Sequence, residues 1–153
     1  MSTENKTPRG LRNHNPLNIK RDAHTRWIGT SSIQLDKTFL QFINSEYGWR
    51  AAFIILRKYF YRYGLNTIAD IVSKWAPGGE NNTEAYIAAV CRHTGLSAGQ
   101  DLGSPHANIG RWLSVAYAMA IVENGWTDIE VMPMLKGYDL AVAATRNLEK
   151  DNL

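Results

Sequence analysis

The sequence predicts a mainly α-helical domain, with about six helices and a small β-hairpin near its N-terminus. Three observations carry that expectation. Beyond residue 45, apolar residues recur at three- and four-residue steps through most of the chain, the period of helices that bury one face. Those stretches are bracketed by Asn, Ser or Thr at the front and by Gly or Pro behind, the residues that cap and stop helices. Residues 26–43 depart from the pattern. There Trp27-Ile28-Gly29 and Phe39-Leu40-Gln41-Phe42-Ile43 are short β-prone runs separated by Ser31, Ser32 and Asp36, a hairpin composition.

A chain of 153 residues is one domain by length, large enough to bury about two thirds of its unfolded surface unaided. Residues 1–8 read as a flexible tail and 9–153 as the domain. Hydrophobic residues at 44% and charged ones at 20% exclude a disordered or fibrous chain. The formal charge of +3 suits an anionic polymer, whether cell wall or nucleic acid. Without a basic helix or an aromatic-basic ladder, nucleic acid is not expected as a partner. A single cysteine, Cys91, excludes an internal disulfide and has no Cys or His at ligand spacing, so neither a metal nor a cofactor is expected. Cys91 reads as a small core residue. The polar N-terminus has no apolar stretch behind it, and no 18-residue apolar run occurs, so neither a signal peptide nor a membrane span is expected. If such a protein meets a cell wall, it is expected to be carried there, as part of a virion or from the host cytoplasm by a separate route.

In chain order, Arg9 to Lys20 is dense in asparagine around Asn15-Pro16, and no helix fits there. It reads either as a loop capped by its own amides or as a sugar-binding loop, because amides pair with acetamido and hydroxyl groups. Asn44 or Ser45 caps a helix with its body from Trp49 to Tyr63, ending at Gly64. Phe53, Leu56 and Phe60 form its buried stripe, and Glu46 and Arg50 are spaced for a local ion pair. Thr67, with Asp70 three residues on, starts a helix burying Ile68, Ile71, Val72 and Trp75. Ala76-Pro77-Gly78-Gly79 breaks it, Thr83 caps the next, and Tyr86, Ile87, Val90 and Cys91 run on to Gly95. Ser104 and Pro105 open a long helix that Gly125 stops before Trp126. Thr127 and Glu130 suggest a short helix that Pro133 interrupts, and Gly137 precedes a last helix carrying Leu140, Val142, Ala143 and Ala144.

Glu123 continues the apolar stripe of Ile109, Trp112, Leu113, Ala116, Met119 and Ala120. A carboxylate in a last turn faces the negative end of the helix dipole, and apolar neighbours add a desolvation cost; both favour the protonated form. The alternatives are that Glu123 turns out to solvent or pairs with one of the 17 Lys and Arg residues.

The string Ala116 to Trp126, with Glu123-Asn124-Gly125 near its end, resembles the helix ending Glu-Ser-Gly, often Glu-Ser-Gly-Trp, in lytic transglycosylases and flagellar-type peptidoglycan glucosaminidases. In those enzymes the Glu is the general acid; here Asn124 replaces the usual Ser. Taken in order, Arg9 to Ile19, Trp27-Ile28-Gly29, Phe39, Phe42, Glu46 to Ala51, Asn66-Thr67-Ile68, Trp75-Ala76-Pro77, Glu80 to Thr83, Tyr86 and Glu123-Asn124-Gly125 resemble a phage virion-structural protein family also found in prophages. The order of the Asn-rich loop, Trp-x-Gly hairpin, Phe-rich strand and core helix is similar to that of the glucosaminidases with the acid helix moved to the end, as in a circular permutation. The resemblance implies a lysozyme-like α+β fold, peptidoglycan as partner, optional contacts with other virion or secretion-machine proteins, and no membrane.

It also implies a muramidase or lytic transglycosylase; the alternative is a non-catalytic virion structural or wall-binding protein keeping the fold. Three glutamates compete as the acid. Glu123 ranks first because burial and the dipole raise its pKa. Glu46, in a first turn near Arg50, ranks second, and Glu80, in a Gly/Asn loop, third. Asn15, Arg50, Trp75 and Tyr86 are the candidate substrate-binding residues. Transglycosylation uses one carboxyl, whereas hydrolysis adds a second, roughly 5 Å or 6.5–9.5 Å away.

Overall fold

The computed structural model describes residues 7–79, 81–125 and 127–150. Among them are seven helices: α1 (Arg9–Arg12), α2 (Ser45–Tyr61), α3 (Ile68–Trp75), α4 (Thr83–Thr94), α5 (Ile109–Asn124), α6 (Val131–Ala144) and α7 (Arg146–Lys150). The expectation of a mainly helical chain holds, with α1 a single turn where no helix was expected.

Side-chain caps set the starts of α2, α3 and α4. Asn44 accepts the Tyr47 N–H at 3.1 Å and starts α2, and Thr67 accepts the Asp70 N–H at 3.1 Å and starts α3, each side chain satisfying a backbone donor that the first turn leaves free. At α4 the cap is Asn82, not Thr83: its carboxamide accepts the Ala85 N–H at 3.0 Å, while the Thr83 hydroxyl donates to the Ala76 carbonyl. Ser104 does cap a turn, accepting the Ala107 N–H at 3.1 Å, but the helix proper begins five residues later.

Helices α2 and α6 form the most extensive pair. Trp49, Phe53 and Leu56 of α2 are almost fully buried, and the Phe53 ring meets Tyr138 of α6 edge to face. The pair packs tightly because of Gly137. A methyl group there would collide with Trp49 and with the α2 backbone at Glu46 and Arg50. This glycine is a crossing point and not a helix stop, so α6 runs unbroken through it. Pro133 fails to interrupt the helix for a related reason: it sits in the first turn, where its missing N–H removes no bond. Helices α3, α4 and α5 pack in sequence on the other flank, around Ile68, Ile71, Val72, Val90, Trp112 and Met119.

The expected hairpin is absent. Residues 20–43 make two isolated antiparallel bridges, Lys20 with Phe39 and Thr30 with Phe42. Backbone bonds join the segments at these bridges, as from the Leu40 N–H to the Ile19 carbonyl and from the Ile43 N–H to the Gly29 carbonyl, and beyond them side chains take the bonds that longer strands would exchange. The Gln41 carboxamide oxygen accepts the Leu35 N–H, and the Gln34 one accepts the Gln41 N–H. Asp36 accepts the N–H groups of both Thr38 and Phe39 at 2.9 Å, with Arg9 gripping it by two bonds of 2.7 Å. That grip and the backbone donors hold the Asp36 carboxyl far below the usual range. The loop docks on the body through Gly48, where any side chain would strike the His14 carbonyl.

Candidate active site

Helix α5 ends at Gly125, whose φ of 75° suits a residue without Cβ. Just before it, the buried Asn124 carboxamide donates to the Ala120 carbonyl at 2.9 Å and the Pro16 carbonyl at 2.8 Å. The last turn of α5 is thereby tied to the N-terminal loop. An amide makes both bonds at once, which the serine of the resembling motif, with one O–H, does not.

This tie sets Glu123 in the floor of a groove of about 470 Å³. One wall is the N-terminal loop, through Asn18, Lys20 and Phe39; another is α2, through Ile55 and Tyr59; and the third is Trp75 with Ala76, Pro77, Gly78 and Asn81. Two donors converge on the carboxyl. The Asn18 amide donates to Oε1 at 3.0 Å, the Tyr86 hydroxyl donates to Oε2 at 3.0 Å, and the Trp75 side chain acts in the same sense.

Burial nevertheless dominates: desolvation raises the Glu123 pKa above its ordinary value, and the bonds from Asn18, Tyr86 and Trp75 and the charge of Lys20 offset it only in part. The result is a carboxyl that keeps its proton more readily than a free one, inside a cage that stabilises the anion once the proton leaves. The same burial, with the carboxylate beside it, drives the Tyr86 hydroxyl far above its ordinary pKa, so Tyr86 remains a donor. Tyr59, buried in the wall against the Trp75 edge, is pushed up to about 12.

The structure unites some of the expected residues and separates others. Glu123 and Trp75 line the groove, and Tyr86 lies behind it, 8% exposed, as a positioning residue. Asn15 does not reach the groove. It is fully buried, donating to the Ile19 and Leu40 carbonyls and accepting the Ile19 N–H, all at 2.9 Å; every polar group it has is used by the loop itself. The amide that meets the acid is Asn18, with a positive φ of 53°. Its signal was in the same Asn-rich string, three residues on, but nothing in sequence says which amide faces outward. Glu46 stands half a turn around α2 from Ile55, 3.5 Å from Lys136 of α6 and not from Arg50, so it belongs to the α2–α6 seam. Arg50 lines a different cleft. Glu80 and Trp126 lie outside the described residues. Lys20, Phe39 and Tyr59 are further groove residues the sequence reading missed.

No protein-family model matches the chain. Protein P5 of Pseudoalteromonas phage PM2 is 40% identical to it over 137 residues, which cover 88% of this chain and 82% of that protein. The chain belongs to the Protein P5 family. The likeness to phage proteins read from the sequence thus stands, and no helix among the described residues is long and apolar enough to cross a membrane. The name Protein P5 states no activity, so the chemistry rests on the groove.

Proposed function

We propose that this protein cleaves the glycan strand of peptidoglycan, as a phage or prophage muramidase or lytic transglycosylase with a lysozyme-like domain, and that Glu123 is its general acid. One observation carries the reading: a carboxyl of raised pKa lining an open groove, held by two donors from separate parts of the chain. A glycosidic oxygen leaves easily only when protonated as the bond breaks, which calls for an acid that retains its proton near neutrality. As Glu123 gives that proton up, the bonds from Asn18 and Tyr86 strengthen on the growing negative charge. Phe39, Tyr59 and Trp75 offer aromatic surface to sugar rings, and Asn18, Lys20 and Asn81 offer polar groups to their substituents.

Glu123 is the single carboxylate among the described groove residues, which suits chemistry in which one group serves as acid and then as base. On that route the sugar's own hydroxyl attacks and an anhydro product forms; a hydrolase would use a second carboxylate. Clearing of purified cell walls, followed by turbidity, tests the assignment. Wild type should clear them and Glu123→Gln should be slower by roughly 100-fold or more. Equal rates would remove Glu123 from the mechanism, and no clearing by either would favour a wall-binding or structural virion role. Mass spectrometry of the products separates anhydro-sugar from reducing ends.

A further inference from the structure

A second cleft of about 350 Å³ opens on the neighbouring face of α2, between the N-terminal loop and the α6–α7 end of the chain. Its lining is cationic. Arg50, Lys58 and Arg62 enter from α2 and its C-terminal cap, and Arg26 from the loop. Along α2, Arg50, Ile54, Lys58 and Arg62 recur at four-residue steps, about 6 Å of helix rise each, so three positive charges line one edge in a row. No carboxylate lines the cleft among the described residues. The acids near it in sequence have other partners: Asp22 accepts from the Thr25 hydroxyl at 2.7 Å and the His24 N–H at 2.9 Å, Glu46 pairs with Lys136, and Glu149 pairs with the buried Arg57 at 2.6 Å.

Like charges gathered without counter-charge repel one another and lower stability, an arrangement that an anionic ligand would relieve. The floor restricts the ligand further. Trp27, Ile28, Ile54 and Leu148 place apolar surface between the cations, and a ligand made of charge alone would leave it uncovered. An acidic peptide carries both elements, carboxylates that guanidinium groups grip in a two-bond fork and aliphatic side chains between them. A sugar-phosphate strand has no aliphatic group at that spacing.

We propose that this cleft is a binding site for acidic peptides, separate from the Glu123 groove. The peptide branches of the wall polymer or an acidic segment of another protein would each supply that chemistry.

Fluorescence anisotropy on the full-length protein tests this with labelled probes: a peptide of alternating Glu and Leu, its Gln-for-Glu counterpart, a peptidoglycan stem peptide, and single-stranded oligo-dT. The Glu-Leu peptide should bind, weaken as salt rises, and exceed its Gln counterpart at least tenfold. Arg50→Gln with Lys58→Gln should lower that affinity at least tenfold, while Glu123→Gln should bind as wild type does. If the first pair does not fold, Arg26→Gln with Arg62→Gln, both at exposed positions, should give a loss of several-fold. Binding of the stem peptide assigns the wall as the source; binding of the Glu-Leu peptide alone assigns a protein segment. Equal binding of the Gln peptide, unchanged affinity in folded charge-removal variants, or preference for oligo-dT would overturn the proposal. Because binding is read without turnover, an inactive wild-type enzyme would leave this result standing.

Discussion

The helical body and the loop of residues 13–43 are held together by different physics, yet both deliver side chains to one groove. In the body, backbone bonds close within each helix and apolar side chains fill the space between, as with Leu56, Val72 and Met119, all almost fully buried. In the loop, two isolated bridges are the whole of the regular pairing. Its shape comes from side chains bonding to backbone: Asn15 fixes Ile19 and Leu40, Gln34 and Gln41 fix each other's segments, and Asp36 gathers Arg9, Asn13, Thr38 and Phe39. The body supplies the acid. The loop supplies Asn18 and Lys20 around it, so site geometry depends on polar bonds as much as on packing.

If the loop is as firmly held as the body, removing one of its buried amides should cost as much as removing a core leucine. Asn15→Ala strands one N–H and two carbonyl groups without water, a loss of about 3 kcal/mol by the usual cost of unmet buried polar groups. Leu56→Ala in α2 should cost about 2–5 kcal/mol through lost burial and the cavity left behind. Urea unfolding of both variants provides the measurement. A cost below about 1 kcal/mol for Asn15→Ala, beside a normal value for Leu56→Ala, would show that packing on α2 alone orders the loop.

Acid should separate the two regions next. The Asp36 carboxyl titrates far below its unfolded value, so it contributes stability that is fully present above about pH 4 and is lost as pH falls below that toward the folded pKa. Asp36→Asn should therefore be less stable than wild type at pH 7, and the gap should narrow steadily below pH 4. Melting temperatures across pH 2–7 read this out. A gap independent of pH would mean that Asp36 acts through its neutral hydrogen bonds rather than its charge.

The contrast also explains what could be read in advance. Stripes and caps located the long helices, because Asn44 and Thr67 act within three residues of themselves and Phe53 and Leu56 repeat at the helical period. Pro133 and Gly137 misled because their effect depends on position: a first turn that has no bond to lose, and a helix crossing visible only in three dimensions. The loop was misread as a hairpin because β-prone runs report on side-chain shape, while Gln34, Asp36 and Gln41 take the Leu35, Thr38, Phe39 and Gln41 N–H groups that longer strands would use. At the site, Glu123, Trp75 and Tyr86 were legible from helix position and local motif. Choosing Asn15 over Asn18 failed because the two amides differ only in which way the folded loop turns them, and Arg50 went astray because it depends on how α2 is rotated in the core.

The smallest expected effect bears on the acid itself. A carboxyl whose pKa is raised on folding binds its proton more tightly in the native state, so its stabilising contribution is greatest below the unfolded pKa of about 4.3 and is lost as pH rises through the folded value. At neutral pH the unfolded chain gives up the Glu123 proton more readily than the folded one does, a cost that the groove bears for its chemistry. Glu123→Gln keeps the shape, removes that cost, and should raise the melting temperature by about 1–3 °C at pH 7 while converging on wild type near pH 4. Tyr86 and Asn18 both donate to this carboxyl; glutamine's carbonyl replaces only one of its two acceptor oxygens, which keeps the expected gain small. A variant less stable than wild type at pH 7, by a margin that closes as pH falls toward 4, would show that these donors hold the carboxylate, rather than the acid, as the resting form. The loop would then be tuned to bind an anion in the body, and the role of Glu123 as proton donor would fall.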